Sequence, residues 1–329
     1  MSGVPFTHLH VASWYSLRFG TDPPEALVRA AARHGLGSLA LTDRDGLYGA
    51  VCFVEACERA GVSPVLGTDL ALEPTLEPAG EPTPEPAGER RPPRATVLAL
   101  GSDPDLDPGT ALPPGAGWAG LCRLVTAVRW HGRPALPELV GEHAVGAAGP
   151  TLAVLLGPDS EVGRAVLVRR DDLALQALSR WRGALPEGNV FVEVVCHDGP
   201  PGTTASLGHA SRLLALARRA GVPAVLTNAV RYPTRREALT ADLLDAVHRP
   251  DPARRVRRAG ARADLADGAR MADVARRVAR AAGAPELASG LLRTTEGLAA
   301  RCRIDGVRDL GLGTVHFPEN HLLGLPSGR

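Results

Sequence analysis

The sequence predicts an α/β fold in which a parallel sheet is covered by helices. Seven short apolar runs alternate with longer amphipathic stretches. Most connections between them are short, and residues that start or stop helices stand where the pattern changes. Alternation of this kind favours parallel strands, because a crossover helix returns the chain to the end of the sheet where the previous strand began.

The strand candidates are residues 6–11, 38–42, 64–72, 96–101, 151–156, 190–196 and 223–227. Helix candidates fill most of the intervals, at 23–34, 47–60, 118–130, 171–182 and 206–220. Pro23 and Pro24 suit a first helical turn, with Asp22 as its N-cap, and Gly35 and Gly61 are placed to end helices. Seven such units would close into a barrel or stay open as a doubly wound sheet, and periodicity does not decide between the two.

Two regions depart from the alternation. Residues 73–94 carry glutamates at a spacing of four, most followed by proline, which predicts an extended, disordered insertion and not a helix. After residue 233 the strand pattern ends, and residues 234–303 have a helical, Arg-rich pattern. The densest basic run is Arg254–Arg258. We interpret it as a solvated helix face, with a nucleic-acid contact as the alternative.

Composition narrows the class of protein. The net charge is +1, and all 37 basic residues are arginine. Bulk charge therefore predicts no polyanionic partner, and each arginine has to be weighed singly. The five cysteines form no C-x-x-C pair, which favours a reduced, cytoplasmic compartment. No signal peptide or uninterrupted apolar stretch of membrane-spanning length is present in the sequence, so no membrane association is predicted.

Five residues at the ends of predicted strands form a candidate metal site. His8 and His10 have a spacing that would point both imidazoles to one side of the first strand. Asp43, Asp69 and His197 follow or end three other strands, and ligands collect at the carboxyl ends of parallel strands. Imidazoles and carboxylates together suit Zn²⁺, Mn²⁺ or Fe²⁺.

These segments also resemble a known family. Residues 7–13 (THLHVAS), 40–51 (ALTDRDGLYGAV), 64–70 (PVLGTDL), 191–197 (FVEVVCH) and 224–232 (AVLTNAVRY) resemble the polymerase and histidinol phosphatase (PHP) domain. More narrowly, they are similar to the version that opens the bacterial DNA polymerase III alpha subunit and its error-prone relatives. The resemblance implies a distorted seven-stranded (β/α) barrel over residues 1–233, with a C-terminal helical extension over 234–308. Residues 309–329 would then be a linker of loop character toward a polymerase palm that lies outside this chain.

Departures from the family pattern bear on the metal site. Active members carry a ligand histidine where this chain has Arg44, and a glutamate where it has Asp69. The ligand pair at the end of the seventh strand is replaced by Ala229 and Arg231. Neither arginine nor alanine can bind a metal ion.

Two interpretations of this degenerate set remain open. In one, a single Zn, Mn or Fe ion binds His8, His10 and either Asp69 or His197, with Asp43 in support. In the other, which we prefer, Arg44 and Arg231 replace the missing cations and pair with Asp43 and Asp69. No residue is assigned as catalytic on either interpretation.

The predicted function follows from the resemblance. We expect a PHP domain of a DNA polymerase III alpha-like or error-prone polymerase, involved in DNA replication or repair, that serves as a scaffold and has no polymerase activity alone. DNA and polymerase or replisome proteins are the expected partners. The alternatives are a free-standing metal-dependent phosphoesterase or 3′–5′ exonuclease, and a truncated gene remnant.

Overall fold

A computed structural model describes residues 4–74, 91–102, 112–248 and 262–313. Its central feature is a six-stranded sheet with helices packed on its outer face. The described residues contain eight strands, six of which form this sheet: β1 (Ser38–Arg44), β2 (Ser63–Ala71), β3 (Arg94–Ala99), β4 (Val145–Gly146), β5 (Gly149–Pro150), β6 (Leu152–Leu156), β7 (Val190–Val195) and β8 (Ala224–Thr227). The order in the sheet is β1-β2-β3-β6-β7-β8, and β4 and β5 form a separate hairpin.

The helices within the described residues surround this sheet and extend beyond it. They are α1 (Pro24–Arg33), α2 (Ala50–Ala60), α3 (Ala116–His131), α4 (Pro137–His143), α5 (Glu161–Leu167), α6 (Asp171–Ala184), α7 (Leu207–Ala220), α8 (Ala238–His248), α9 (Gly268–Ala281), α10 (Leu287–Arg301) and α11 (Gly306–Leu310). The predicted α/β class and the five predicted helices are confirmed. Gly61 adopts the left-handed conformation that ends α2, as predicted. The N-cap of α1 is Pro23, without a side-chain hydrogen bond, so the prediction of Asp22 was wrong.

The sheet curls, and alternate residues face its inside. A cluster of inward side chains fills the end of the curl opposite the strands' carboxyl ends. Its members include Leu9, Ala40, Val65, Leu98, Leu155, Phe191 and Val225, together with Leu298 and Cys302 of α10. Helix α10 thus closes the interior with apolar side chains, and polar inward positions remain at the other end.

The predicted first strand, residues 6–11, is not a strand of this sheet, so the count of seven is not confirmed. The segment lies between the two edges of the sheet and makes single bridges to both, from His8 to Leu39 and from Val11 to Val230. The Val11 backbone N–H donates to the Thr42 hydroxyl at 2.8 Å and not to a strand carbonyl. Backbone hydrogen bonds do join the segment to both sides, as from Ala40 N–H to the His8 carbonyl at 3.0 Å and from Val230 N–H to the His10 carbonyl at 2.9 Å, but they do not continue into a regular ladder on either side.

Strand β3 runs antiparallel to both neighbours, which corrects the prediction of an all-parallel sheet. The physical reason is its connection. A parallel pair requires a crossover that carries the chain to the opposite end of the sheet, whereas the Leu72 N–H donates to the Pro93 carbonyl at 2.7 Å, so β3 begins beside the residue at which β2 ends. Ala71 and Arg94 are therefore cross-strand partners, and the first residue of β3 lies where β1 and β2 end.

The predicted helical extension packs directly on the sheet. Residues of α9 and α10, such as Met271 and Leu291, belong to the same apolar core as the strands. The Leu226 backbone N–H in β8 donates to the Thr295 hydroxyl of α10 at 2.8 Å. The domain boundary at 233 stays a prediction. The prediction of loop character was wrong for Asp309 and Leu310, because both belong to α11. Asp309 is buried, and its carboxylate accepts hydrogen bonds from the Ser102 hydroxyl at 2.5 Å and the Gly115 backbone N–H at 2.9 Å.

Three predictions concern residues outside the described ranges: the disordered insertion over most of 73–94, the basic run Arg254–Arg258, and the linker beyond residue 313. Among the residues that the structure describes, no helix is long and apolar enough to cross a lipid bilayer. All five cysteines are free.

Candidate functional site

The polar end of the curl is formed by the carboxyl ends of the parallel strands and by the amino end of antiparallel β3. We call this end the rim. The inward-facing positions here are occupied by Arg44, Asp69, Thr96, Glu193 and Thr227, which continue the alternation set by the apolar residues below them. The strand pattern therefore places charged side chains where the core ends.

Asp69 lies at the centre of an ion-pair cluster. Its Oδ2 atom accepts hydrogen bonds from Arg94 Nε at 2.8 Å and from Arg44 Nε at 3.2 Å. Arg94 also contacts Asp45 Oδ2 at 3.0 Å. Burial alone would raise the pKa of Asp69, but the charges of Arg94, His10 and Arg44 hold it below its usual value. The carboxylate is thus ionised and already neutralised by two guanidinium groups.

The two arginines are not equivalent. Burial lowers the pKa of Arg44 to about 10, although the charge of Asp69, its one carboxylate partner among the described residues, opposes the shift. Burial opposes the charge of Arg94 as well, yet contacts with Asp69 and Asp45 raise its pKa above the usual value. Both remain charged at neutral pH, and Arg94 is the better-partnered cation.

His10 and Glu193 form a second buried pair. His10 Nδ1 lies 2.8 Å from Glu193 Oε1 and 3.2 Å from the Thr96 hydroxyl, and the Thr227 hydroxyl donates to the same glutamate oxygen at 2.5 Å. Burial disfavours the charged imidazole, but the adjacent carboxylate raises the pKa of His10 above its usual value. The Glu193 carboxylate also lies against the backbone of Gly157, where a Cβ would be 2.0 Å from Glu193 Oε2, so this position requires glycine.

Asp43 binds the loop that follows residues 6–11. Its Oδ1 accepts from the Ser13 backbone N–H and the Ser16 hydroxyl, each at 2.7 Å, and its Oδ2 accepts from the Ser13 hydroxyl at 2.8 Å. Burial raises the pKa of Asp43, although these hydrogen bonds oppose the shift. The carboxylate organises the loop over residues 13–16 and makes no ion pair with an arginine of the described chain.

A stacked unit of two arginines and one ring joins two of the four substituted positions. The Arg44 and Arg231 guanidinium carbons lie 3.3 and 4.2 Å from the centroid of the Phe19 ring. Arg231 also forms a bidentate pair with Asp245 of α8, at 2.9 and 3.0 Å. The prediction paired Arg44 and Arg231 with Asp43 and Asp69. Arg44 does pair with Asp69, whereas Asp43 binds serines and Arg231 pairs with Asp245, so the prediction was wrong for those two residues. Ala229, at another of the substituted positions, has a positive φ of 39°.

His8 is held directly by the chain before α9, whereas His197 is held by Asn228, which in turn bonds that segment. His8 Nε2 hydrogen-bonds the Ala266 carbonyl at 2.9 Å, and burial lowers its pKa to about 4. His197 Nε2 hydrogen-bonds the Asn228 carbonyl at 2.8 Å, and its pKa is likewise lowered by burial. The side chain of Asn228 donates to the Asp264 carbonyl at 2.7 Å. Both imidazoles are neutral and are tied to backbone carbonyls.

The residues present do not fit a metal ion. Within the described ranges, no three His, Cys, Asp or Glu side chains converge in a metal-binding arrangement. Asp69 is engaged by two arginines and Asp43 by the serines of its loop, so neither carboxylate is available to join the imidazoles. Each of His8, His10 and His197 has one ring nitrogen bound to a protein oxygen, which by itself leaves the other nitrogen able to bind a metal. A cation beside Asp69 would also meet the charges of Arg44 and Arg94.

Arg94 and Glu193 were missed from the sequence. Glu193 gave a usable signal, because it interrupts an otherwise apolar strand (VFVEVV), and a buried carboxylate requires partners. Arg94 gave none, since its place at the rim depends on the antiparallel direction of β3. The contacts of Asp245 and Phe19 with Arg231 cannot be predicted from the strand ends either, because neither residue lies on a strand.

Comparison with known proteins places these observations in a family. The model of the PHP domain matches residues 8–197. The error-prone DNA polymerase of Mycolicibacterium paratuberculosis is 32% identical over 244 residues, covering 73% of this chain and 20% of that protein. DNA polymerase III subunit alpha of Treponema pallidum is 29% identical over 262 residues, covering 77% and 20%. The chain thus spans about a fifth of the length of these two curated relatives.

Solved structures give a weaker likeness. An amidohydrolase from Chromobacterium violaceum, with bound sulfate and no metal, has a TM-score of 0.39 and 16% identity, covering 68% of this chain and 87% of that one. A two-domain protein from Bacteroides vulgatus, described as containing a predicted PHP-like metal-dependent phosphoesterase, has a TM-score of 0.33 and 11% identity, covering 69% and 52%. At these TM-scores the likeness carries no conclusion about chemistry.

Proposed function

The chain belongs to the PHP domain family, and from that premise we propose that it is a non-catalytic PHP domain of a DNA polymerase III alpha-like or error-prone polymerase, acting as a structural platform in replication or repair. The relatives named above support this proposal, since both are polymerases of this kind and both match over about three quarters of the chain. The function of those whole proteins is not a property of this segment alone, so the role we assign is support of a polymerase body.

The observation that carries the non-catalytic part is the double guanidinium contact on Asp69. Metal-dependent hydrolysis needs a cation that polarises the phosphoryl oxygen and lowers the pKa of a bound water. An arginine supplies charge and hydrogen bonds but binds no water as a Lewis acid. With Arg44 and Arg94 both on one carboxylate oxygen, the rim is stabilised by fixed ion pairs in place of metal ligation.

Metal content tests this directly. Chain purified without chelator and then dialysed is expected to hold less than about a tenth of an equivalent of Zn, Mn or Fe by elemental analysis. Hydrolysis of bis-p-nitrophenyl phosphate, with each metal added, should stay at the rate of the metal alone. About one bound equivalent, or metal-dependent turnover that Asp69→Asn removes, would refute the proposal and favour a phosphoesterase or 3′–5′ exonuclease.

The platform role is tested with a polymerase body. We expect the full chain to form a 1:1 complex with the part of the M. paratuberculosis polymerase that lies outside the matched region, and to raise its thermal midpoint by mass action. Primer extension by the chain alone should equal that of buffer. Absence of a complex at tens of micromolar, or primer extension by the chain alone, would contradict the role. Heat-unfolded chain is the control for non-specific stabilisation.

A further inference from the structure

Two loops beside the rim expose an unusual set of apolar side chains. Residues 12–20 follow the first segment, and residues 45–49 follow β1. Trp14 is 50% exposed, Leu17 83% and Tyr48 67%, while Tyr15 is 36% exposed. Scattered exposed apolar residues are ordinary on a protein surface, but a cluster of aromatic rings on adjacent loops indicates a contact surface.

The rings are fixed in place by contact with glycine backbone. A Cβ on Gly46 would lie 2.5 Å from the Tyr48 ring, and a Cβ on Gly49 would lie 2.8 Å from the Tyr15 ring. Each tyrosine therefore lies against bare main chain with part of the ring toward solvent. Trp14 meets Tyr15 edge to face, with ring centroids 6.4 Å apart. The Trp14–Tyr15 pair therefore lies against Gly49, the residue that follows Tyr48, and contact with the glycines restricts the two tyrosine rings before any ligand arrives.

Positive charge accompanies the rings. The Arg129 guanidinium carbon lies 6.0 Å from the centroid of the Tyr48 ring, and its nitrogens donate to the Asp45 carbonyl at 3.0 and 2.7 Å. Among the described residues Arg129 has no carboxylate partner, so its charge is not neutralised by an ion pair. The Asp45 carboxylate is itself occupied by Arg94 at 3.0 Å. The surface thus offers aromatic faces and a cation that is not ion-paired.

We propose that these two loops form a stacking platform for single-stranded nucleic acid. Bases would stack on Trp14 and Tyr48, and a phosphate would pair with Arg129. This combination of ring faces and a backbone-directed cation is what sequence-tolerant single-strand binding uses. The inference goes beyond the proposed platform role, because it requires neither a metal ion nor a polymerase body.

The test is fluorescence anisotropy of a labelled 20-nucleotide oligo(dT) with the full chain, in the presence of EDTA. Trp14→Ala and Tyr48→Ala are each expected to weaken binding by about 5- to 150-fold, whereas Trp14→Phe and Tyr48→Phe should retain most of it. Arg129→Gln should reduce the slope of log K against log salt by about 0.7. The control for surface change is Leu239→Ala, an apolar side chain of α8 that is 68% exposed.

Several outcomes would overturn the proposal. These are no oligonucleotide binding, unchanged binding in both alanine variants, and an equal loss in Leu239→Ala. A salt slope that is unaltered in Arg129→Gln would remove the assigned phosphate contact and overturn it as well. If the chain instead self-associates in sedimentation and Trp14→Ala abolishes the dimer, the surface belongs to a second copy. Circular dichroism of each variant confirms that the fold is intact.

Discussion

Replacing Arg94 by methionine should destabilise the protein far more than the same change at an exposed arginine. The Arg94 side chain is 13% exposed and Asp69 is 5% exposed, with 2.8 Å between Nε and Oδ2. Methionine keeps most of the aliphatic stem that packs in the rim and removes only the charge and its hydrogen bonds. The comparison therefore isolates the ion pair from the packing.

The magnitude follows from the geometry. At 2.8 Å and an effective dielectric constant of about 20, the attraction between the charges is roughly 6 kcal/mol. Desolvation of both ions offsets much of this, and removal of one partner of a buried pair costs about 3–5 kcal/mol of unfolding free energy. Because Arg44 still contacts the same oxygen, we expect the low end of the range, about 3 kcal/mol.

Arg180→Met is the matched control. Arg180 contacts Glu138 with two hydrogen bonds of 2.7 Å, so its geometry is better than that of Arg94. The Arg180 and Glu138 side chains are 35% and 53% exposed, and exposed ion pairs contribute less than about 1 kcal/mol to stability. The assay is urea unfolding at pH 7, with the slope m unchanged between variants.

The pH dependence supplies a second check. The folded-state pKa of Asp69 lies below its usual value, so its contribution to stability is present above the unfolded pKa of about 3.9 and is lost as pH falls through the folded pKa. The gap between the original chain and Arg94→Met should be full at pH 7 and shrink below about pH 4. Equal losses at Arg94 and Arg180, or a gap that widens in acid, would refute the reasoning.

Three further outcomes are expected. Glu193→Gln should lower the pKa of His10, followed by NMR, and an unchanged pKa would contradict the pair. The variant should also be destabilised more at pH 6 than at pH 9. A histidine pKa that folding raises contributes stability at pH values below the unfolded-state pKa, and this contribution is lost as the pH rises through the folded-state pKa. Gly157→Ala should cost about 1–3 kcal/mol in urea unfolding, whereas Gly183→Ala in α6, with nothing within 4 Å, should be neutral or stabilising; equal effects would contradict the close contact. Phe19→Leu should cost about 1–2 kcal/mol by removing the ring under two guanidinium groups, and a cost near zero would show that the stacking adds nothing.

The strands and helices could be predicted because their signals are local. Apolar runs and glycine stops fix where β1, β2, β6, β7 and β8 begin and end to within a few residues. Residues 6–11 have the same apolar character, yet they make only isolated bridges. Their backbone bonds are divided between two partners far away in sequence, the β1 residues Ala40 and Thr42 on one side and Val230 on the other. No local pattern distinguishes such a segment from a regular strand.

The candidate site was predictable in its location but not in its contacts. Strand-end reasoning placed Asp69 at the rim, because β2 has its expected direction. It could not place Arg94, since the direction of β3 is set by the whole sheet. It could not provide a partner for Arg231 either, because Asp245 lies on α8 beyond the last strand. Local sequence specifies elements, and the pairing of charges requires the assembled topology.

The way in which β2 ends beside the start of β3 has a consequence for engineering. Its two ends are cross-strand partners, Ala71 and Arg94, and the Leu72 backbone N–H donates to the Pro93 carbonyl at 2.7 Å. The chain therefore leaves and re-enters the sheet at one point, and doubling the length between costs only about 0.6 kcal/mol of closure entropy. New termini or a whole guest domain could be spliced in at this point, next to the rim, without changing the register of any strand.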